Sequence, residues 1–335
     1  MQLRKGIFMA GKLWNDLRAL NRRIPANLSV QGASLGYYYI RFREEPRILN
    51  RLIAGFDEQG IPLNTTYIDV EEKRLHYYPI SIGQYALAVF HSWLDTGSAD
   101  KKAHFLRIAD WFCQNRTESD TWGAYWLTDV PKPEYGVTAP WKSAFAQSRG
   151  LSVLLRAWQL TGSEEYFRIA KRALVPFGLD ISQGGVSVDR ASGQTFYEEY
   201  VAAAPTRVLD GHLFSLFGLY DAVRAISSDI DAEARTLAKV RFEEGLEGLK
   251  AQLPGFDMGF WLRFNRCDLP GYPQDDPCTI GYLKLVAAQL SILHAITGDD
   301  FFRRYAMRLE AYLRPANVLR MYRFKATALK KLNRL

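Results

Sequence analysis

Apolar positions recur along most of this chain at the i, i+3, i+4 spacing of one helix face, and they do so in pairs of runs separated by a short polar turn. The first runs are SIGQYALAVFHSWL, SAFAQSRGLSVLLRAWQL, HLFSLFGLYDAVRAI and GYLKLVAAQLSILHAI. Their amphipathic partners are FLRIADWFC, YFRIAKRALVPF, EARTLAKVRFEEGLEGL and FFRRYAMRLEAYL. Between each pair lies a turn signal: LDTGS (Leu94 to Ser98), LTGSEE (Leu160 to Glu165), AISSD (Ala225 to Asp229) and AITGDD (Ala295 to Asp300). Thr96, Thr161, Ser227 and Thr297 stand 65, 66 and 70 residues apart. A helical hairpin repeated four times buries each face against the next hairpin, so the expected fold is mainly α, an α/α toroid if the array closes on itself.

The segments between hairpins, residues 116–142, 178–211 and 254–280, are rich in Gly, Pro, aromatic and charged residues and would emerge at one end of the array, where sites are built on loops. Residues 30–80 read as extended, through SLGYYYIRF, TTYIDV and RLHYYPI, bounded by Gly and Pro. The expected organisation is a basic N-terminal segment (1–29), a small β region (30–80), a toroid (81–313) and a basic amphipathic tail (314–335). Within that tail, Leu319, Tyr322, Ala326 and Leu329 share one helical face.

Composition narrows the function. The 335 residues are 48% hydrophobic and 24% charged, an ordinary globular balance. Three scattered cysteines argue against a disulfide framework and for a reducing compartment. The five histidines are far apart, no metal-ligand spacing occurs, and phosphate-binding glycine loops are missing, so no metal or cofactor is expected. No apolar run approaches the ~18 residues of a membrane span, and a cytoplasmic location is the default expectation. The net charge of +7 is uneven: residues 1–23 and 314–335 together carry +12, leaving −5 in between. A nucleic-acid-binding body would concentrate its cations on the folded domain. The basic ends instead suggest peripheral contact with an anionic membrane face, or packing of the tail against the body or another subunit.

The densest chemistry is Tyr197, Glu198, Glu199 and Tyr200, two carboxylates between two phenols. On spacing alone it is either an edge strand with a solvated acidic face or part of a site. Tyr282 opens the fourth inner helix, near Tyr272. A phenol titrates near ~10, so service as a base calls for nearby cations or hydrogen bonds, with Arg149, Arg263 and Arg266 as suppliers. Trp122, Tyr125, Trp126, Trp141, Tyr77 and Tyr78 are either packing between array and β region or platforms for sugar faces.

HYYPISIGQYAL (His76 to Leu87), WKSAFAQSRGLSVLLRAWQLTG (Trp141 to Gly162) and FYEEYVAAAPTRVLDGHLFSLFGLYDA (Phe196 to Ala222) resemble the C-terminal domain of the D-glucuronyl C5-epimerases, over about residues 60 to 313. The resemblance implies an α/α toroid and conversion of D-glucuronate to L-iduronate residues in heparosan-like chains. It implies functional roles for Glu199 and Tyr200, and for Tyr282 as a second active-site tyrosine. Asp210 stands where the family usually has Asn, Phe196 where Trp is common and Val201 where Pro is common. A third tyrosine expected within Gly259 to Arg266 is absent, with Phe260 and Phe264 in its place.

The implied reaction removes the proton beside a hexuronate carboxylate and returns one from the opposite face, without a redox cofactor. Tyr200 and Tyr282 are the expected pair across the sugar, and Glu199 positions or polarises it. Arg263 is expected on the carboxylate, with Gln147, Arg149, Tyr78, Asp210 and Glu198 as further substrate-binding residues. The partner is a uronate-containing polysaccharide or glycan, and the reduced β region leaves room for a second subunit, as in a homodimer. A lyase or glycoside hydrolase on the same scaffold, or a glycan-binding protein without catalysis, are the alternatives. Adjacent Glu198 and Glu199 do not readily flank a scissile bond, which disfavours hydrolysis.

Overall fold

A computed structural model describes residues 13–332. The outer ends of both basic tails, residues 1–12 and 333–335, lie outside them. All four hairpins are present. The first pairs α1 (Pro79–Thr96) with α2 (Ala99–Gln114), and the second α3 (Ala144–Thr161) with α4 (Glu164–Arg172). The third pairs α5 (Leu209–Ala225) with α6 (Ser228–Gln252), and the fourth α7 (Ile280–Thr297) with α8 (Asp300–Ala311).

Three of the four turns share one device. Thr96, Thr161 and Thr297 each donate a hydroxyl to the carbonyl four residues back and accept the N–H two residues on. The intervening Gly97, Gly162 and Gly298 sit at φ 67°, 72° and 71°, the left-handed helix end that a Cβ disfavours. The third turn has no glycine and leaves its helix through Ile226 in an extended conformation.

The inner helices α1, α3, α5 and α7 pack side by side in chain order, most closely α3 on α5. Gly218 permits that approach, since a Cβ there would lie 2.6 Å from the Ser148 Cα. No comparable contact among the described residues joins α1 to α7. Instead the segment expected as a first strand runs across the C-terminal ends of the inner helices. Among the described residues it carries a single bridge, Ala26 with Ile40. The Tyr38 N–H binds His91 of α1, the Gly36 carbonyl takes Arg156 of α3, the Gly32 and Ser34 carbonyls take Arg224 of α5, and Gln31 reaches the Ala295 carbonyl of α7. Its main-chain groups are used by helix side chains rather than by a sheet. The β region proper is shorter: β1 (Ile53–Phe56), β2 (Pro62–Thr65) and β3 (Leu75–Tyr77), an antiparallel sheet in that order.

The basic tail forms α9 (Pro315–Lys331), and its buried face is Val318, Met321 and Ala328, rotated from the expected one and leaving Leu319 exposed. It is tied to the body by Lys325 on Asp276, by Arg320 over the Phe260 ring and by the Tyr322 hydroxyl on Asp16. Among the described residues one helix, α7, is long and apolar enough to cross a membrane by length and composition, contrary to the expectation from the sequence. It is an inner helix of the array, packed on α5 and α8.

Candidate functional site

The three connecting segments meet at the N-terminal ends of the inner helices. The first and second are joined by hydrogen bonds from Ala144 N–H to the Glu198 carbonyl and from Val201 N–H to the Lys142 carbonyl. The second and third are joined by the Val208–Asn265 bridge. Strands β4 (Thr117–Ser119) with β5 (Gly123–Tyr125), and β6 (Ser187–Val188) with β7 (Phe196–Tyr197), brace the first two segments. Oriented helix N–H groups make this end of the array electropositive.

The YEEY stretch runs off β7 into irregular backbone with all four side chains buried, which excludes a solvated acidic face. They do not share one surface. Tyr197 turns outward, its hydroxyl donating to the Arg241 carbonyl of α6. Glu198 is used up locally: its carboxylate accepts from the Thr206 N–H at 3.0 Å, the Thr206 hydroxyl at 2.5 Å and the Arg207 N–H at 3.0 Å. Burial raises its pKa to about 7. It staples the 198–207 loop, and the expectation that it binds substrate is corrected on that ground.

Glu199 and Tyr200 face the centre. Glu199 lies on the first turn of α5, where Gly211 makes room: a Cβ there would fall 2.8 Å from a Glu199 carboxylate oxygen. The Tyr200 phenol stabilises the charged form of Glu199, and its ring packs on Trp141 at 5.2 Å and Tyr135 at 5.0 Å. The phenols of Tyr67 and Tyr78 complete the group. Tyr78, placed by the sequence among the sugar-binding aromatics, is therefore within it, as the N-cap residue of α1.

Burial raises the pKa of every one of these phenols, and the neighbouring Glu199 adds to it at Tyr200. The expectation of a phenol lowered toward service as a base is thus reversed: Tyr200 rests as a neutral acid. Burial and the charge of Asp210 raise Glu199 well above the carboxylate range. Burial also raises Asp210, to about 6, but Tyr282, the first N–H groups of α5 and the charge of Arg149 restrain it. Both carboxyls are thus held above their usual range by burial, and each disfavours ionisation of the other, so the pair titrates together.

Lys132, which the sequence reading missed, is the cation of this group. Its ammonium lies 4.3 Å from the Tyr67 ring centre and 5.5 Å from that of Tyr200, is ion-paired with Glu134 at 2.8 Å and favours the charged form of Glu199. Tyr135 and Asn265 were also missed, whereas Tyr272, singled out beside Tyr282, is brought to the same group. Asn265 donates to both phenols, and Tyr272 donates on to Glu134. Tyr135 and Lys132 belong to the short EYG turn and its bridge from Lys132 to Val137, whose sequence pattern signals a loop and nothing more.

The remaining candidates serve the scaffold. Arg263 spends its guanidinium on Asp275 at 2.6 Å and on the Gly255 and Gln274 carbonyls. Gln147 is fully bonded to the main chain of Ala124, Trp126 and Ala173. Arg149 is wholly buried among Phe214, Phe145, Tyr38 and Phe42, 4.3 to 5.2 Å from their ring centres, and makes no well-formed hydrogen bond. Its charge favours the ionised form of Asp210. Phe260 packs on Phe324 of α9, whereas Phe264 lies against the Tyr282 ring at 4.9 Å.

Tyr282 is at the site, but its hydroxyl is engaged twice, donating to the Phe264 carbonyl at 3.1 Å and accepting the Asp210 N–H at 2.8 Å. It clasps the third segment to the start of α5. Tyr282→Phe leaves that partly buried N–H without a partner, so a loss of about 1–3 kcal/mol in urea unfolding is expected; an unchanged midpoint would show the clasp to be dispensable.

Among the described residues no three His, Cys, Asp or Glu side chains converge as a bound cation would need. The sequence pattern of the D-glucuronyl C5-epimerase C-terminus matches residues 117–311, more than half of the chain and all three connecting segments. A D-glucuronyl C5-epimerase of Caenorhabditis elegans is 34% identical over 161 residues, 46% of this chain and 26% of its own length. An uncharacterized protein of Methanocaldococcus jannaschii is 26% identical over 183 residues, 54% of this chain and 55% of its own. The chain therefore spans only part of the length of either relative. With the matched region spanning three of the four hairpins and the buried pair Glu199 and Tyr200, this chain belongs to the D-glucuronyl C5-epimerase C-terminus family.

Proposed function

We propose that this protein is an epimerase that inverts carbon 5 of D-glucuronate residues in a polysaccharide, converting them to L-iduronate. The observation that carries the reading is the burial of Tyr200 beside Glu199, and of Glu199 against the first turn of α5 that carries Asp210, at the N-terminal ends of the inner helices. Removing a proton beside a carboxylate needs a base, an acid on the other face and positive charge for the enolate-like intermediate. Asp210 is the anion that accepts the C5 proton, and the electron pair of the broken C–H bond moves into the substrate carboxylate. Lys132 and the helix N-termini hold that charge. Tyr200 donates its proton to form the new C–H bond, and Glu199 returns one to the phenolate. Arg149 keeps Asp210 ionised from beneath, and Tyr282 orients it.

Turnover of a glucuronate-containing polymer in heavy water tests this. Deuterium is expected at carbon 5 with chain length unchanged. Shorter, unsaturated chains would mean a lyase, and new reducing ends a hydrolase. An unmodified polymer, with the protein folded, would replace the epimerase reading by a glycan-binding one, which Phe at both 260 and 264 would then favour.

A further inference from the structure

A cavity of about 400 Å³ lies beside Tyr200, walled by Thr138, Trp141, Lys142, Ile181, Gly184 and Val201. It shares Trp141 with the Tyr200 ring, and the Lys142 carbonyl is hydrogen-bonded to Val201, the residue after Tyr200. Its volume is within the range of small-ligand sites.

Lys142 is the cation of this cavity. Its ammonium sits 4.3 Å from the Trp122 ring centre and 4.0 Å from that of Tyr125. One hydrogen bond, to the Gly184 carbonyl at 2.6 Å, uses one of its three donors. Among the described residues no carboxylate pairs with it, unlike Lys132. Burial lowers its pKa. A partly desolvated ammonium with two spare donors is stabilised by an incoming anion far more than a solvated one would be. The other polar side-chain groups on the walls named above are the Thr138 hydroxyl and the Trp141 indole N–H, which is spent on the Val130 carbonyl, so one cation fits a singly charged group rather than a phosphate. Trp122, 36% exposed, offers a flat face beside the charge.

We propose that Lys142 and Trp122 form a subsite for a carboxylate-bearing sugar, a second hexuronate unit of the chain whose target unit is held at Tyr200. The subsite rests on the reading of the cluster as a uronate site. It would make the enzyme discriminate by the charge of a sugar that is not itself transformed.

The test uses a glucuronate oligosaccharide and its carboxyl-reduced counterpart, with binding followed by calorimetry and tryptophan fluorescence. Wild type is expected to bind the acidic oligosaccharide at least about 10-fold more tightly than the reduced one. Lys142→Met should narrow that preference at least about 10-fold, the remainder being the target carboxylate at Lys132, and keep the wild-type melting temperature. If Lys142→Met does not fold, Lys142→Gln, which keeps a donor to the Gly184 carbonyl but not the charge, should narrow it likewise. Equal affinity of wild type for both sugars, no binding of either, or full preference in a folded Lys142→Met would overturn the subsite. Carboxylate-selective binding narrowed in Lys142→Met without any deuterium exchange would sustain the subsite and discard the reaction. Exchange without that selectivity would do the reverse.

Discussion

Tyr200→Phe is expected to lower solvent deuterium incorporation at carbon 5 by at least about 100-fold, the usual contribution of a positioned acid or base. The substitution keeps the ring that packs on Trp141 and Tyr135 and deletes only a hydroxyl, so the expected stability cost is about 1 kcal/mol. Glu199→Gln provides the matching arm: it preserves a hydrogen-bonding group on the first turn of α5 but cannot exchange a proton with the phenol. It should therefore slow turnover while leaving the fold intact. Retention of more than half of the exchange rate by Tyr200→Phe would move the proton to another group, with Tyr135 the nearest alternative by its ring contact at 5.0 Å.

The largest effect on stability is expected at the opposite end of the array. Asp221 of α5 is fully buried and accepts from Arg156 of α3 at 2.7 Å and from the Tyr39 hydroxyl at 2.8 Å. Arg156 in turn holds the Gly36 and Ser152 carbonyls, so this pair fastens the crossing segment to two inner helices. Asp221→Ala removes the one carboxylate that pairs with the buried Arg156 guanidinium among the described residues and should cost about 3–5 kcal/mol in denaturant unfolding. Most of that is the stranded charge, so adding Arg156→Met should restore much of the loss. A double variant as unstable as the single one would show that packing, not charge, is responsible.

These two ends of the molecule were unequally legible. The N-terminal ends of the inner helices announced themselves through YEEY and the loop composition, because catalysis concentrates chemically distinctive residues in a short stretch of chain. The crossing segment did not. SLGYYYIRF has the alternation and β-branched or aromatic content of a strand, and only the competition from Arg156, Arg224, Gln159 and His91 for its main-chain groups keeps it out of a sheet.

Among the site residues, local motif and role diverged for the same reason. Glu198 and Glu199 are neighbours of one chemical type, yet one points into its own loop and the other onto α5. Arg149, Arg263 and Gln147 are polar residues near the correct ends of helices, but a side chain of that length reaches either a ligand or the nearest free carbonyl. The backbone of the connecting segments supplied carbonyls for two of them. Lys132 and Tyr135 had no motif to mark them, since their importance comes from lying across the cluster from Tyr200, which is 65 or more residues away in the chain.

The sequence by itself determined the four hairpins, because helix periodicity and the Thr-Gly turn act within a few residues and need no distant partner. It also determined that the chemistry belongs to the connecting segments. Only the tertiary structure decided which carboxyls are buried against each other, which cation faces the phenols and how the end of the array is covered. Each of those depends on burial and on charges brought together from far apart in the chain, and neither is written in any local pattern.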